Sequence, residues 1–303
     1  MEIKTAKAYQ RRGVSLQARN TLVGWSFILP NFIGFFIFIL IPVSFSLVLS
    51  LMKWDGFTAM QFVGLKNFLT IFKDKYFLQA MGRTLHYTAL VVLFTTFLSL
   101  GLAVLMNKKL RGAGVFRSSI FFPYIASIVA IGAVWRMLFM KDFGPINEML
   151  RFLGMQNPPG WLASSQWALP AVIIVSIWKY MGYYMVVYLA ALQDIPVELR
   201  EASAIDGATG FAHFWRITLP LLGPATFFVV MMLTIGSFKA LDLIYVMTEG
   251  GPGQATTLMA NYVYTKGFIN ESYGVASAAA MVLFVMVTLI TLLQFRVEKR
   301  MGR

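Results

Sequence analysis

The chain has 303 residues, of which 58% are hydrophobic and only 13% are charged. A soluble domain carries about a quarter charged residues, so this composition and the mean hydropathy of +0.69 indicate a protein of the lipid bilayer. There is no cysteine, which excludes disulfides, cysteine-ligated metals and thiol chemistry. The two histidines, His86 and His213, are too far apart for a local metal motif, so we expect no metal site. The net charge of +13 is better explained by basic residues at the cytoplasmic membrane face than by nucleic acid binding.

Six apolar stretches are long enough to cross a bilayer, which takes about 20 residues for a helix. They predict an all-α, polytopic membrane protein with six transmembrane helices and a single transmembrane domain over 24–295. A segment 1–23 precedes this domain, and a tail 296–303 follows it. The helices are expected at roughly 24–50, 85–106, 117–138, 168–192, 217–246 and 273–295.

Basic residues are distributed unequally between the two sides of the predicted membrane. An even number of spans places both termini on one side, whose four segments carry 15 Lys and Arg residues against 9 in the three opposite segments. Because cytoplasmic loops are enriched in Lys and Arg, this bias predicts that both termini are cytoplasmic.

The connection 193–216, between the fourth and fifth spans, carries the signals of a short helix. Pro196 and the acids Glu198 and Glu201 mark its start, and Gly207 is suited to end it. A second short helical segment follows, so we expect a compact helix-turn-helix on the cytoplasmic surface. Its apolar side chains need a groove on a partner. The acids argue against the alternative, a loop that lies on anionic lipid headgroups.

This loop resembles the signature loop of binding-protein-dependent ABC permeases. That signature is EAA-x3-G-x9-I-x-LP, and we call the cytoplasmic connection 193–216 the EAA loop. Ser203 in place of the second alanine is the only departure, a small-for-small change that is expected to matter little. The matching residues are Glu201, Ala202, Ser203, Gly207, Ile217, Leu219 and Pro220.

Four further segments resemble the sugar branch of this family, and within it the first of the two permease subunits (the maltose, multiple-sugar and glycerol-phosphate branch). They are the residues 64–68, 238–245, 250–252 and the tyrosine-rich stretch 262–278. The resemblance implies the type I ABC importer permease fold and a subunit that forms half of the translocation pathway for a mono- or oligosaccharide. The alternative within the same machinery is a polyol or a glycerol-phosphate-type solute.

The resemblance also implies the partners of the chain. The EAA loop would dock on a cytoplasmic ABC ATPase dimer, and the other partners would be a second, different permease subunit, an external solute-binding protein and membrane lipid. ATP and Mg would be bound by the ATPase, because the chain has no G-x-x-x-x-G-K-[ST] phosphate loop. We therefore expect a multi-pass protein of the bacterial or archaeal cell (inner) membrane that is not itself an enzyme and holds no cofactor. The implied coupling residues are Glu198, Glu201, Ala202, Ser203, Asp206, Gly207, Ile217, Leu219 and Pro220.

Polar side chains at membrane depth are costly and usually functional, and they mark candidates for the substrate pathway. Lys179 and Tyr183 are four residues apart and share a helix face. The tyrosines could instead belong to an interfacial belt, and Lys239 and Asp242, three residues apart, could simply pair. The candidates are Lys179, Tyr180, Tyr183, Thr234, Ser237, Lys239 and Asp242.

An ion-coupled secondary transporter is the competing class of function. Such proteins usually have more spans and carry acids inside them for proton or ion coupling. Asp242 is the only acid within a predicted span, and it lies near the span's end. The sequence therefore favours the ATP-driven importer.

Overall fold

The computed structural model of the chain describes residues 16–108, 111–205, 207–208 and 210–301. The chain divides into two units, residues 1–48 and 49–303. In the first unit α1 (Leu16–Phe35) continues through a π-helical turn, π1 (Phe36–Leu40), into α2 (Ile41–Ser50). The long apolar helix predicted at the start of the chain is therefore present.

The second unit contains the last two residues of α2, Leu49 and Ser50, and a short hairpin that follows them. Its strands pair antiparallel, with Met52 opposite Phe62. The buried side chain of Asn67 fixes the hairpin, because its amide donates to the carbonyls of Ser50 and Met52 at 2.9 and 2.8 Å. The elements of this region are β1 (Met52–Lys53), β2 (Gln61–Phe62) and α3 (Lys66–Lys73).

Two long helices form the centre of the second unit. They are α4 (Lys75–Met106), which begins ten residues before the predicted span, and α8 (Ala168–Gln193). The buried face of α4 that packs on α8 is rich in small and polar residues, which let two helices approach closely in a membrane. Hydrogen bonds cross this contact from Ser99 Oγ to the Met181 carbonyl at 2.9 Å and between the hydroxyls of Tyr87 and Ser176 at 2.8 Å.

The predicted third span is not one helix. It consists of α5 (Ala113–Ile125) and α6 (Ile128–Leu138), whose axes are bent by 99° at the break between them. Ala126 and Ser127 have extended backbones, with ψ of 147° and 130°. The prediction of a single helix over 117–138 was therefore wrong. Hydropathy measures whether residues are compatible with lipid, but it does not report the direction of the backbone.

The predicted fifth span is also divided. Its helical lead-in is bent by 64° against the main helix α12 (Gly223–Phe238), which ends before the predicted end at 246. The residues 239–241 then separate α12 from α13 (Asp242–Thr248). The remaining elements are α7 (Pro145–Phe152), α9 (Val197–Ile205), α10 (Phe211–His213), π2 (Phe214–Thr218), α11 (Leu219–Leu221), α12 (Gly223–Phe238), α13 (Asp242–Thr248), α14 (Met259–Tyr264), π3 (Thr265–Ile269) and α15 (Tyr273–Met301).

Over the described part of the chain, 4 helices are long and apolar enough to cross a membrane, and the number is 6 if each bent pair is one span. The predicted all-α membrane fold is confirmed, and the predicted six spans are reached when the two broken ones are included. Three clusters of buried apolar side chains hold the second unit together: α4 and α8 with α6 and α13, α4 and α8 with α12, and α3 and α4 with α14 and α15.

A charged cluster lies at the start of α4, outside the spans. Asp74 caps the helix by accepting the Tyr76 N–H at 2.9 Å, and it also accepts the Tyr262 hydroxyl at 2.7 Å. The Lys266 ammonium lies 3.4 Å from the same carboxylate. Burial works against ionisation of Asp74, but the hydrogen bonds from Tyr262 and Tyr76 and the charge of Lys266 outweigh it and lower its pKa. The cluster links α4 to α14 and π3.

Candidate functional site

The first half of the EAA loop is the helix α9, which presents acids and apolar side chains together. It runs over Val197–Ile205, close to the predicted 196–206. Glu198 and Glu201 are exposed, and so are the apolar side chains of Val197 and Leu199. A surface that mixes charge with large apolar groups is typical of a protein interface.

The turn after α9 is formed as the sequence predicts. Gly207 has φ +75°, the left-handed conformation that commonly ends a helix. The Ala208 N–H then donates to the Ser203 carbonyl at 2.8 Å, which closes the last turn. Ala202 is exposed, whereas Ser203 is buried. Asp206, predicted as a coupling residue in this turn, lies outside the described residues.

The second half of the EAA loop leads into the fifth span through a widened helical turn. In π2 the Leu219 N–H donates to the Phe214 carbonyl, five residues back. Pro220 has no N–H and its ring crowds the preceding turn, which favours this local widening. Ile217 and Leu219 are half-buried, while Phe211 and Trp215 are 78% and 50% exposed. The loop therefore presents apolar surface from both of its halves.

Lys179 makes hydrogen bonds that no sequence motif predicts. Its side chain is only 6% exposed, and its ammonium donates to the carbonyls of Pro123, Tyr124 and Ala126 at 3.2, 3.2 and 3.3 Å. These carbonyls belong to the last turn of α5 and to the break, where no helical N–H is available to them. The ammonium thus satisfies the end of a broken helix and opposes the partial negative charge of that end.

An aromatic group lies directly beside this break. The rings of Tyr124 and Tyr183 stack with centroids 4.3 Å apart and planes at 16°, and Tyr180 meets Tyr124 edge-on at 6.4 Å. Tyr180 and Tyr183 were predicted as pathway residues, and Tyr124, which the sequence did not single out, packs against them. The signal available for it was Pro123, a proline inside a predicted span that is followed at once by a tyrosine.

The predicted pathway residues of the fifth span fall into two groups. Thr234 and Ser237 are buried, and the Thr234 hydroxyl donates to the Val230 carbonyl at 2.7 Å and accepts from the Gln294 amide at 2.9 Å. Thr234 thus joins α12 to α15. Lys239 and Asp242 are exposed on either side of the break between α12 and α13.

The described ion pairs do not include one between Lys239 and Asp242, so the pairing considered from their spacing is not formed. The structure brings Tyr124, Tyr180 and Tyr183 near one another, from α5 and α8. Among the described residues no group of three or more His, Cys, Asp or Glu side chains could hold a metal ion.

Comparison with known proteins gives a consistent result. Residues 95–303 match the family described as "Binding-protein-dependent transport system inner membrane component". The probable ABC transporter permease YesP of Bacillus subtilis (strain 168) is 36% identical over 282 residues, which is 92% of this chain and 91% of the relative.

Two relatives whose names include a solute match over similar lengths. The sn-glycerol-3-phosphate transport system permease UgpA of Agrobacterium fabrum is 34% identical, with 93% of this chain and 96% of the relative covered. The trehalose/maltose transport system permease MalF of Thermococcus litoralis is also 34% identical, with 94% and 96% covered.

A solved structure shares the fold. A chain of a bacterial alginate ABC transporter, crystallised with its alginate pentasaccharide-bound periplasmic protein, superposes with a TM-score of 0.82 over 95% of this chain and 97% of that chain. The sequence identity is 24%. The match shows that the two chains share a fold.

Proposed function

Because the chain belongs to the family of binding-protein-dependent transport system inner membrane components, we propose that it is the permease subunit that forms half of the pathway of an ABC importer for a mono- or oligosaccharide. The observation that carries the proposal is the EAA loop, which exposes apolar side chains and acids together on a compact pair of short helices. Such a surface is costly to leave in water and needs a partner to cover it.

The partner proposed for the EAA loop is a cytoplasmic ABC ATPase. Phe211 and Trp215 on one half and Val197 and Leu199 on the other are the apolar groups that a cleft of the ATPase would cover. The acids Glu198 and Glu201 would meet basic or polar groups at its rim. ATP and Mg would be held there, since this chain has no phosphate loop. The lead-in π2–α11 joins the loop to α12, so a displacement of the loop by the ATPase would reach the membrane directly.

The pathway proposed for the solute runs along the aromatic group beside the break in the third span. Tyr180 and Tyr183 offer flat faces that suit a sugar ring and hydroxyls that suit its hydroxyl groups. Lys239 and Asp242, exposed at the break between α12 and α13, are the charged groups proposed to face the pathway or the second permease subunit. The other half of the pathway would come from that second, different subunit, and the solute from an external solute-binding protein. Both termini would lie in the cytoplasm.

A glycerol-phosphate-type solute is the second candidate, and one observation favours it. Lys239 is an exposed cation at membrane depth that could meet a phosphate. Against it, the ammonium of Lys179 already contacts three carbonyls, which leaves a less cationic region beside the tyrosines. Binding of the cognate solute-binding protein to a panel of saccharides, polyols and sn-glycerol 3-phosphate decides between the two.

The coupling role is tested by Glu201→Lys in the assembled importer in proteoliposomes. We expect the variant to insert normally into the membrane but to transport no solute, because the reversed charge opposes docking on the ATPase. Asp142→Lys, a charge reversal at an exposed site outside the EAA loop, is the matched control and should transport normally. Transport by Glu201→Lys at the wild-type rate would contradict the proposal.

The pathway role is tested by two substitutions at Tyr183. Tyr183→Phe keeps the stacked ring and should leave KM close to the wild-type value, whereas Tyr183→Ala should raise KM about 2–13-fold through the loss of an aromatic contact of about 0.5–1.5 kcal/mol. Initial uptake rates over a range of concentrations of the solute-loaded binding protein measure both. Equal KM values for the two variants would remove Tyr183 from the pathway.

A further inference from the structure

The two halves of the EAA loop are joined by a side-chain hydrogen bond that the family signature does not contain. Ser203 Oγ and His213 Nδ1 lie 2.7 Å apart, one near the end of α9 and the other at the end of α10. Ser203 stands where the signature has its second alanine, and a methyl group in that place cannot form such a bond. The substitution that the sequence suggested to be neutral therefore adds a specific contact.

Ser203 holds the turn in two ways at once. Its side chain is buried, with 4% of the residue exposed, and reaches His213. Its carbonyl accepts the Ala208 N–H at 2.8 Å. One residue thus fixes the turn through the main chain and the following helix through the side chain.

Two glycines lie in the segment between the two halves. Gly207 and Gly210 both have positive φ, +75° and +52°, and glycine is the residue with the greatest backbone freedom. Within the described part of the chain, and apart from the glycine and its two chain neighbours, no atom lies within 4 Å of a Cβ built on either glycine. Packing therefore does not restrain the turn at these two positions, and the Ser203–His213 bond spans it.

We propose that Ser203 and His213 are positioning residues for energy coupling: their hydrogen bond makes α9 and the lead-in α10–π2–α11 move as one body. Without it, motion of α9 would be absorbed by the two glycines instead of reaching α12. The inference rests on the proposed role of the EAA loop as the contact with the ATPase. It goes beyond that role in two respects. It assigns a function to His213, and it predicts that removal of the bond lowers the amount of solute transported per ATP hydrolysed.

The choice of variants follows from the geometry of the bond. Asparagine places an amide atom close to the position of Nδ1, so His213→Asn can keep a hydrogen bond to Ser203. His213→Leu keeps comparable bulk without any polar atom. Ser203→Ala restores the residue of the family signature, so its fold is expected to be retained.

The experiment uses the complete importer in proteoliposomes and measures solute transported per ATP hydrolysed, together with the amount of assembled complex. We expect His213→Leu to lower this ratio about fivefold, the factor that one hydrogen bond typically contributes to an equilibrium. Assembly and the total rate of ATP hydrolysis should stay normal, and His213→Asn should restore the ratio. A purely structural role would instead lower the amount of complex and leave the ratio unchanged.

A double-variant cycle isolates the bond itself. Ser203→Ala should lower the ratio as His213→Leu does, and the two substitutions together should be no worse than either alone. An unchanged ratio in both single variants, or strictly additive losses, would overturn the inference. Glu201→Lys separates this outcome from failure of the proposed function: if it is inactive while His213→Leu has a normal ratio, only the role of the bond is refuted.

Discussion

The EAA loop and the broken third span both interrupt regular helix. The loop is held by residues close to it in sequence, whereas the span is held by a residue of another helix far along the chain. In the loop, Ser203 bonds to Ala208 and to His213, five and ten residues away. In the span, the carbonyls at the break are held by Lys179, which lies 53 to 56 residues further on. A turn held by its neighbours leaves a local pattern in the sequence, whereas a break held from another helix does not.

The comparison also separates two uses of charge. Glu198 and Glu201 are exposed in the EAA loop, where water solvates them until a partner binds. Lys179 is buried, and its charge is stabilised by fixed backbone dipoles inside the protein. Exposed acids are suited to recognition of a partner, whereas the buried lysine is suited to stabilising the fold. A charged residue within a predicted span can therefore be part of the frame of the pathway and need not touch the solute.

The largest expected effect concerns Gly207. Gly207→Pro should abolish transport, because proline fixes φ near −65° and cannot adopt the +75° that ends α9. Gly207→Ala should cost only about 1–2 kcal/mol of local strain and reduce uptake modestly. Uptake and membrane abundance measure both. Gly154→Pro, at another exposed glycine with positive φ, is the matched control outside the loop, and uptake by Gly207→Pro equal to this control would contradict the role of the turn.

An intermediate effect is expected at Lys179. Lys179→Met keeps the length of the side chain but leaves the carbonyls of the break without their cation, at a cost of about 1.5–3 kcal/mol in unfolding free energy. Thermal unfolding of the purified complex in detergent measures this loss. Lys239→Met, which removes an exposed lysine, should unfold near the wild-type temperature. If the two variants are equally stable, Lys179 does not hold the break, and the contrast with the EAA loop fails.

The smallest effect is a pH dependence at Asp74. Its pKa in the folded protein lies below the ordinary 3.8, so its stabilising contribution is fully present above that pH and is lost as the pH falls through the folded value. The melting temperature of Asp74→Asn should lie below that of the wild type at neutral pH, and the difference should begin to shrink only as the pH falls below about 4. Asp142→Asn, at an exposed carboxylate outside the cluster, serves as control. A difference that is the same at pH 7 and pH 3 would show that the charge of Asp74 is not responsible.

The sequence predicts much of the fold because hydropathy and local signals decide those parts. The six spans follow from apolar length, and the helix α9 follows from Pro196, the acids after it and Gly207. The break at Ala126 and Ser127 could not be predicted, since it depends on a lysine of another helix. The end of α12 at Phe238 was missed for a related reason: Lys239 and Asp242 indicate polarity at that depth but not a change in backbone direction.

The candidate site was predicted unevenly for the same reason. The signature of the EAA loop identifies its residues one by one, but it treats Ser203 as a minor exchange, because the partner of Ser203 lies outside the pattern. In the aromatic group, Tyr180 and Tyr183 were singled out by their depth, while the position of Tyr124 beside them depends on how α5 packs on α8. Depth along a helix can be counted from sequence, but the direction in which a side chain points depends on the neighbouring helix.

The hydrogen bonds of Lys179 have a consequence for the synthesis of the protein. The carbonyls of Pro123, Tyr124 and Ala126 leave the ribosome before their cation, which follows 53 to 56 residues later. At about 5–20 residues per second, this delay lasts about 3–11 s. During that time these carbonyls lack the cation that satisfies them in the folded protein. We therefore expect the third span to take its final bent shape only after the fourth span has entered the bilayer.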